Sequence, residues 1–199
     1  LCDCLAGFGG VFTATLDTNT LWPSLRRDVL LSWAVEGLYR PVWSAHTLVE
    51  LHYCEERKRV RRGQSPDEAL AAADRLVTMM GEAFADAVVP ETETSRLAPF
   101  GLPDANDEHV LAGAFAAGAQ VIVTDNDEDF PAELLPHGIA VVSPQVFARD
   151  TVSVNPARAL TALEQMAQRR SETPLALILD QIEARYAMSE ACALLRDAL

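Results

Sequence analysis

Short runs of branched apolar residues alternate along this chain with longer stretches in which apolar residues recur at helical spacing. Short apolar runs bounded by turn residues predict buried strands rather than helices. The predicted strands are Val11–Leu16, Pro41–Trp43, Val88–Val89, Ala119–Val123 and Ile139–Val142. Because helical stretches separate these strands, we expect an α/β fold with a central, mainly parallel sheet and helices on both faces.

Capping residues and prolines mark the starts of the predicted helices. Pro23 fits the first turn of a helix that we expect to reach about Leu38, after a turn over residues 18–20. Ser44 is expected to cap a second helix, which Gly63 ends. The sequence Ser65-Pro66-Asp67-Glu68 is a capping box, and it predicts the start of a third helix.

A central unit follows, in the order loop, helix, strand and loop. Asp104, Asn106 or Asp107 can cap its helix, and Gly118 suits the end of that helix. Its inner face is expected to carry four apolar side chains, which are Val110, Leu111, Ala114 and Phe115. The segment before this unit, Pro90–Pro103, is expected to be loop.

The pattern changes near residue 153, and this change predicts a domain boundary. Residues 11–152 alternate strands and helices, whereas residues 153–199 are purely helical and amphipathic. Asn155-Pro156 and Thr173-Pro174 are both helix starts in this tail. The tail either covers the α/β domain or presents a surface to a partner, and the sequence leaves both interpretations open.

The composition is that of a globular protein, since 49% of the 199 residues are apolar. No apolar run approaches the roughly 20 residues of a membrane span, so we expect no membrane contact. From its cysteine usage we expect a protein of the reducing cytoplasm. The four cysteines contain no CxxC pair, and they indicate neither a disulfide framework nor a zinc site. We expect the first ten residues, LCDCLAGFGG, to be a leader or an expression remnant rather than a signal peptide.

The formal charge of −13 argues by itself against a nucleic-acid partner. The distribution of charge tempers this argument, because several of the 16 basic residues fall in one short stretch. This basic cluster consists of Arg57, Lys58, Arg59, Arg61 and Arg62. It is either a solvated helix end, where cations interact well with the helix dipole, or a phosphate-binding patch.

Acidic residues fall at the ends of predicted elements, where open α/β sheets bind their ligands. Asp17 follows the first strand, Asp107 opens the central helix, and residues 125–129 follow the next strand. Glu50 lies in the helix after the second strand, among apolar neighbours that should face the core. Carboxylates that converge there would suit Mg²⁺, which prefers oxygen ligands. Each acid also has a simpler interpretation, as a turn residue, a solvated helix residue, a cap or part of an acidic loop.

Four blocks of the sequence, taken in order, resemble the signature of PIN-domain nucleases. These blocks are Leu16-Asp17-Thr18-Asn19, Leu48-Val49-Glu50-Leu51, Asp107-Glu108-His109-Val110-Leu111-Ala112 and Val123-Thr124-Asp125-Asn126-Asp127-Glu128-Asp129-Phe130. Within that family, the chain looks most like the VapC-type toxins of bacterial toxin–antitoxin pairs. Phe100-Gly101-Leu102-Pro103-Asp104 and the 153–199 tail resemble a subgroup with a C-terminal helical extension.

This resemblance implies a PIN-like nuclease domain over residues 11–152 and a helical extension over residues 153–199. It implies a Mg²⁺- or Mn²⁺-dependent endoribonuclease that acts as the toxin of a type II toxin–antitoxin module. The expected partners are an RNA substrate and a small cognate antitoxin. Exposed apolar stripes would also suit a homodimer.

Carried over by position, the catalytic and metal-binding acids would be Asp17, Glu50, Asp107 and Asp129. The supporting polar residues would be Asn19, Thr124, Asn126 and Asp127. The position two residues after Thr124 is often Asp in the wider family but is Asn126 here, so Asp129 is the preferred fourth acid. Asp125 and Asp127 stay open as alternatives, with Asn126 as a neutral ligand or water holder.

The mechanism implied is in-line attack of water on phosphorus, with no histidine base. Specificity for RNA would then come from shape and from bases in single-stranded loops. Our hypothesis is that the basic cluster, on the helix that carries Glu50, contacts the RNA phosphates.

Other functions fit the sequence less well. Leu16–Thr20 also resembles the first motif of haloacid-dehalogenase-type phosphatases, but that motif needs a second Asp where this chain has Asn19. Those phosphatases and phosphorylatable receiver domains also need a later lysine, and Lys58, the only lysine, lies in the wrong place. A PIN-type nuclease outside a toxin pair and a non-catalytic PIN-like binding module remain alternatives.

Overall fold

A computed structural model describes residues 11–170 and 173–199 of the chain. The fold is α/β, with a five-stranded parallel sheet flanked by helices, as the sequence predicts. The expected leader, residues 1–10, lies outside the described residues. No helix among the described residues combines the length and the apolar character needed to cross a membrane.

The strands are β1 (Thr13–Leu16), β2 (Arg40–Ser44), β3 (Val88–Val89), β4 (Val121–Val123) and β5 (Ala140–Val142). Their order in the sheet is β3-β2-β1-β4-β5. In the parallel registers, Ala14 of β1 lies opposite Val121 of β4, and Trp43 of β2 lies opposite Val88 of β3. The strand order reverses between β1 and β4, and such switch points are where open α/β sheets bind ligands.

The helices of the described residues follow in chain order. They are α1 (Thr18–Leu21), α2 (Ser24–Val35), α3 (Ala45–Arg61), α4 (Pro66–Ala83), α5 (Glu91–Leu97), α6 (Glu108–Ala116), α7 (Pro144–Val154), α8 (Pro156–Arg169), α9 (Leu175–Tyr186) and α10 (Ser189–Asp197). The predicted caps Ser44 and Asn155 accept hydrogen bonds from the backbone N–H groups of Thr47 and Arg158. The capping box of Ser65 and Glu68 is also formed.

The chain divides into two compact units. The first, here called the site-bearing unit, comprises Thr13–Trp22 and Pro41–Val141. In it α3 packs against α4, and α5 packs against α6. Its hydrophobic cluster contains most of the predicted inner face of α6, together with residues of β2, β4 and the loops: Val42, Leu102, Val110, Leu111, Ala114, Ala119, Ile122 and Phe130.

The second, the helical unit, comprises Pro23–Arg40 and Val142–Leu199, together with Phe12. Helix α2 packs against α8, and α10 packs against α7. The indole N–H of Trp33 donates to the carbonyl oxygen of Ala159 at 3.2 Å, and the ring of Tyr39 meets that of Phe147 edge-on at 4.8 Å. The predicted domain boundary at residues 152–153 stays a prediction.

Several local predictions were wrong. Residues 18–20 begin helix α1 rather than a turn, because the Asp17 side chain accepts a hydrogen bond from the Thr18 N–H group and caps the helix. The predicted loop 90–103 contains α5, whose first turn carries Glu91 and Glu93, a placement that the helix dipole favours. Phe115 is 49% exposed and does not belong to the inner face of α6.

Candidate active site

Asp17 lies directly after β1, at the switch point of the sheet. Its backbone N–H donates to the carbonyl oxygen of Val123 at 3.1 Å, and this bond continues the pairing of β1 with β4. Its side chain is buried, with Oδ1 accepting from the Thr18 N–H group at 2.6 Å. Oδ2 accepts from Asn19 Nδ2 and from Thr124 Oγ1, each at 2.7 Å. The carboxylate is therefore fixed by donors from both adjacent strand ends.

The environment of Asp17 disfavours its charge. Burial raises the pKa of its carboxyl above the ordinary value, and the negative charge of Glu50 raises it further. The hydrogen bonds from Thr124 and Thr18 act against this rise but do not cancel it. A bound cation would favour the ionised form of Asp17.

Asn19 and Thr124, two predicted supporting residues, connect helix α1 with the loop after β4. Asn19 Nδ2 also donates to Thr124 Oγ1 at 2.9 Å, and the Asp125 N–H group donates to Asn19 Oδ1 at 3.1 Å. The Asn126 N–H group donates to Thr124 Oγ1, also at 3.1 Å. These bonds hold the acidic loop 125–129 against the end of β1.

Glu50 lies on α3 and is half-buried. Its Oε2 accepts a hydrogen bond from Thr18 Oγ1, next to Asp17 in the chain. His109 Nε2 lies 3.6 Å from Oε2, and His46 Nε2 lies 3.9 Å from Oε1. Burial alone would raise the pKa of Glu50, but His109 and Thr18 outweigh it, and the pKa lies below its ordinary value. Glu50 therefore stays ionised more readily than Asp17 and Asp107, whose pKa values are raised.

The expectation that the helix around Glu50 faces the core holds in part. Leu51 is buried, whereas Val49 is 63% exposed. Glu50 therefore lies at the border between the buried and the exposed faces of α3, where a carboxylate can reach a cavity without being enclosed.

Asp107 ends a short 3-10 turn (Ala105–Asp107) that leads into α6. Its carboxylate forms a group with those of Asp104 and Asp129, in which one oxygen of each lies within 4.8 Å of the others. Burial and the negative charges of Asp17, Asp129 and Asp104 raise the pKa of Asp107 to about 7. Like charges are thus concentrated here.

The structure brings Asp17, Glu50 and Asp107 to one cavity of about 420 Å³. Its remaining lining residues are Thr18, Asn19, Trp22, Tyr53 and Cys54. We call this the acidic cavity. Three segments of the chain that are far apart in sequence supply its carboxylates: the end of β1, the middle of α3 and the start of α6.

The acidic residues of the loop after β4 differ in where their side chains lie. Asp129 joins Asp107 and Asp104, and its Oδ2 accepts a hydrogen bond from Asn126 Nδ2. Asp125 and Asp127 are exposed, and Asp127 lines a different cavity with Phe130 and His137. Among the acids of this loop, Asp129 is therefore placed best to act with Asp107.

The residues of the acidic cavity fit a hard divalent cation. The donors are carboxylate, hydroxyl and amide oxygens, which Mg²⁺ and Mn²⁺ prefer. The mutual repulsion that raises the pKa of Asp107 would be relieved by such a charge. Asp17, Glu50 and Asp107 are the cavity residues that would hold it, and Asp129, whose carboxylate groups with that of Asp107 outside the lining, would be the fourth acid.

The residues of the basic cluster on α3 have different partners. Lys58 and Arg59 both pair with the buried carboxylate of Glu55, the latter with an Nε–Oε1 distance of 2.7 Å. Arg57 instead lies over the ring of Tyr53, with its Nη1 donating to the phenol oxygen at 3.0 Å. Tyr53 lines the acidic cavity, so Arg57 contacts a residue of that cavity. Arg61 and Arg62 lie near the end of the helix.

Sequence reasoning missed several residues around this site. His46 and His109 flank Glu50, although the resemblance implied no role for histidine. The spacing of His46 and Glu50, four residues apart on a helix, could have indicated the first of these contacts. Glu108 was also missed, since only the folded chain shows its carboxylate accepting three backbone N–H bonds from residues 100–102.

A family model described as PIN domain matches residues 13–128, which is more than half of the chain. The chain therefore belongs to the PIN-domain family. PIN domains are generally metal-dependent nucleases that act on nucleic acids. No curated protein matches the chain, and no solved structure does.

Proposed function

We propose that this protein is a Mg²⁺- or Mn²⁺-dependent endoribonuclease that acts as the toxin of a type II toxin–antitoxin module. The observation that carries the nuclease proposal is the convergence of Asp17, Glu50 and Asp107 on one cavity at the switch point of the sheet. The further assignment as a toxin is supported by the resemblance of the four sequence blocks to VapC-type toxins.

Each polar residue has a defined part in this proposal. Asp17, Glu50, Asp107 and Asp129 hold the ion, and Asn19 and Thr124 keep the Asp17 carboxylate in place. Asn126 positions Asp129 through its side-chain amide. Asp127 is exposed and supports the loop outside this network. The cation, when bound, orients a water molecule for in-line attack and stabilises the charge that develops on the phosphate.

The RNA enters along α3 in this proposal. Arg57, held over Tyr53 at the border of the acidic cavity, contacts a phosphate next to the scissile bond. Arg61 and Arg62 extend this contact along the strand, whereas Lys58 and Arg59 are engaged by Glu55. This arrangement lets a chain of charge −13 bind RNA, because a small basic surface and the bound cation lie together.

Cleavage of structured RNA by the purified full chain tests the nuclease proposal. We expect cutting with Mg²⁺ or Mn²⁺, no cutting with a chelator, and losses of orders of magnitude for Asp17→Asn, Glu50→Gln and Asp107→Asn. The exposed acid Asp125 provides a matched control, and Asp125→Asn should cut at nearly the normal rate. Full cleavage by all three variants would refute the proposal.

The toxin assignment needs a separate experiment in cells. Expression of the chain should arrest growth, and co-expression of the small protein encoded beside it should restore growth. Sequencing the ends of the RNAs cut in those cells would identify the target. Normal growth during expression of a cleavage-active chain would contradict the toxin role while leaving the nuclease intact.

A further inference from the structure

Two imidazoles and one carboxylate form a second group of metal ligands beside the acidic cavity. One ligand atom from each of His46, Glu50 and His109 lies within 4.8 Å of the other two. The two imidazole rings are neighbours, with centroids 4.6 Å apart and ring planes tilted by 55°. The nuclease proposal gives no role to either histidine.

The distances between the imidazole nitrogens and the Glu50 oxygens suit ligands of one metal ion better than hydrogen bonds between the side chains. His109 Nε2 lies 3.6 Å from Glu50 Oε2, and His46 Nε2 lies 3.9 Å from the other oxygen, Oε1; both distances are beyond the range of a good hydrogen bond. Two ligands that share a tetrahedral Zn²⁺ are separated by roughly 3.3–3.6 Å, given the usual Zn–N and Zn–O distances. A small movement of His46, whose side chain is half exposed, would complete this geometry.

His109 is already oriented for such a role. Its Nδ1 lies 2.7 Å from Ser44 Oγ, and Ser44 is fixed in turn as the cap of α3. When Nδ1–H donates to that oxygen, Nε2 presents its lone pair towards Glu50. Histidines that bind metals characteristically use their second ring nitrogen in this way.

The donor set selects the class of ion. Imidazole nitrogen favours the later first-row metals, such as Zn²⁺, whereas Mg²⁺ prefers oxygen ligands. Cysteine spacing indicated no zinc site, but a site of imidazole and carboxylate ligands needs no cysteine. The second group thus differs in chemistry from the carboxylates of the acidic cavity.

Space for a fourth ligand lies next to the two histidines. His46 and His109 line a cavity of about 280 Å³, which is distinct from the acidic cavity. Helix α5 and residues 105–106 supply other parts of its lining. Three protein ligands with one open position are typical of zinc sites that bind water or a small ligand.

We propose that His46, Glu50 and His109 form a binding site for a late first-row divalent metal, represented by Zn²⁺. The site shares Glu50 with the acidic cavity, so the two sites are adjacent and chemically different. This proposal does not rest on RNA cleavage, because the ligands and their spacing are independent of the substrate.

Calorimetric titration of the full chain with Zn²⁺ tests this site. We expect His46→Ala and His109→Gln each to weaken Zn²⁺ binding at least roughly tenfold, the loss typical of even indirect damage to a metal site. His52→Ala is a matched control, since His52 lies on the same helix but contacts Asp74, and it should leave the affinity unchanged. All titrations are repeated with Cys2→Ser and Cys4→Ser, which removes the N-terminal thiols as a source of signal.

Asp107→Asn separates the two sites. We expect this variant to lose Mg²⁺ binding in the acidic cavity and to keep its Zn²⁺ affinity. Unchanged Zn²⁺ affinity in both histidine variants would overturn the proposal, as would Zn²⁺ binding that depends on Asp107 as strongly as on the histidines. Absence of RNA cleavage would refute the nuclease function but leave the zinc titration as it stands.

Discussion

Asp107 and Glu108 are consecutive residues, but their carboxylates lie in opposite environments: the first lines the acidic cavity, and the second binds the backbone of residues 100–102. Asp107 shares its surroundings with Asp17, Asp129 and Asp104, and its pKa is raised to about 7. Glu108, the next residue, accepts the backbone N–H groups of residues 100, 101 and 102 at 2.5, 2.7 and 2.8 Å. Although burial acts to raise the pKa of Glu108, these bonds lower it below the ordinary value.

In our proposal, the difference separates a carboxylate placed for function from one placed for stability. Glu108 is satisfied by the protein itself, because its charge-assisted bonds order a turn next to the core residue Leu102. Asp107 is surrounded by like charges, and it gains a favourable partner only when a cation binds. A cluster of carboxylates with raised pKa values is therefore a candidate ligand site.

The largest effect that we expect is on RNA cleavage. Asp107→Asn should reduce the rate by orders of magnitude, because it removes a ligand of the cation. Glu108→Gln, an equally conservative change one residue away, should keep most of the activity of the molecules that remain folded. Rates measured below the unfolding temperature of both variants check this. Equal losses for the two would remove the functional distinction between them.

A smaller effect is expected on the stability of the metal-free protein. Glu108→Gln should lower the free energy of unfolding by about 1.5–3 kcal/mol, since it removes the charge from a buried, hydrogen-bonded acceptor. Asp107→Asn should raise the free energy of unfolding, because it removes the repulsion from Asp17, Asp129 and Asp104. No capping hydrogen bond is lost, since the Asp107 side chain makes none. Urea unfolding in the presence of a chelator measures both changes. Destabilisation by Asp107→Asn would show that its charge is compensated within the protein.

The two carboxylates should also give opposite pH dependences. Asp107 binds its proton more tightly in the folded protein, so the stability it contributes is present below pH 3.8 and is lost as the pH rises to about 7. We expect a loss of about 1–2 kcal/mol, reduced by solvent screening because this residue is partly exposed. Glu108 has a lowered pKa, so its contribution is present above pH 4.5 and is lost as the pH falls. Urea unfolding from about pH 2.5 to 8 in the absence of added metal measures these trends, and Asp107→Asn should lack the first.

The smallest effect concerns the basic cluster, where Arg59 pairs with a carboxylate of the protein and Arg57 lies over an aromatic ring. Arg57→Ala should weaken RNA binding and reduce the slope of log affinity against log salt by about 1, as expected for one lost phosphate contact. Arg59→Ala should change the slope less, because Arg59 already pairs with Glu55. Binding assays over a series of salt concentrations compare the two variants. A larger change for Arg59→Ala would contradict the predicted path of the RNA.

Much of the fold was predictable because its signals are local. Ser44, Asn155 and the Ser65–Glu68 capping box mark helix starts through bonds within one turn of the chain. Helix α5 was missed because its start at Pro90 carries no side-chain cap and its sequence is mostly polar. Phe115 was misplaced because helical spacing alone does not show where the buried face of a short helix ends.

The candidate site was predictable as a set of residues but not as a geometry. The four blocks of the PIN-domain resemblance indicated Asp17, Glu50 and Asp107, and the strand order explains why Asp17 meets Thr124. His109 and Glu108 could not be assigned from sequence, because each acts through contacts with distant segments of the chain.

A crystal grown with Mn²⁺ tests the central claim most directly, since anomalous scattering locates the ion. We predict a peak in the acidic cavity at about 2 Å from carboxylate oxygens of Asp107 and of Asp17 or Glu50, the distance typical of oxygen ligands to such ions. The same crystal of Asp107→Asn should lack that peak. An acidic cavity without an ion at saturating Mn²⁺, with its carboxylates ordered, would contradict the account.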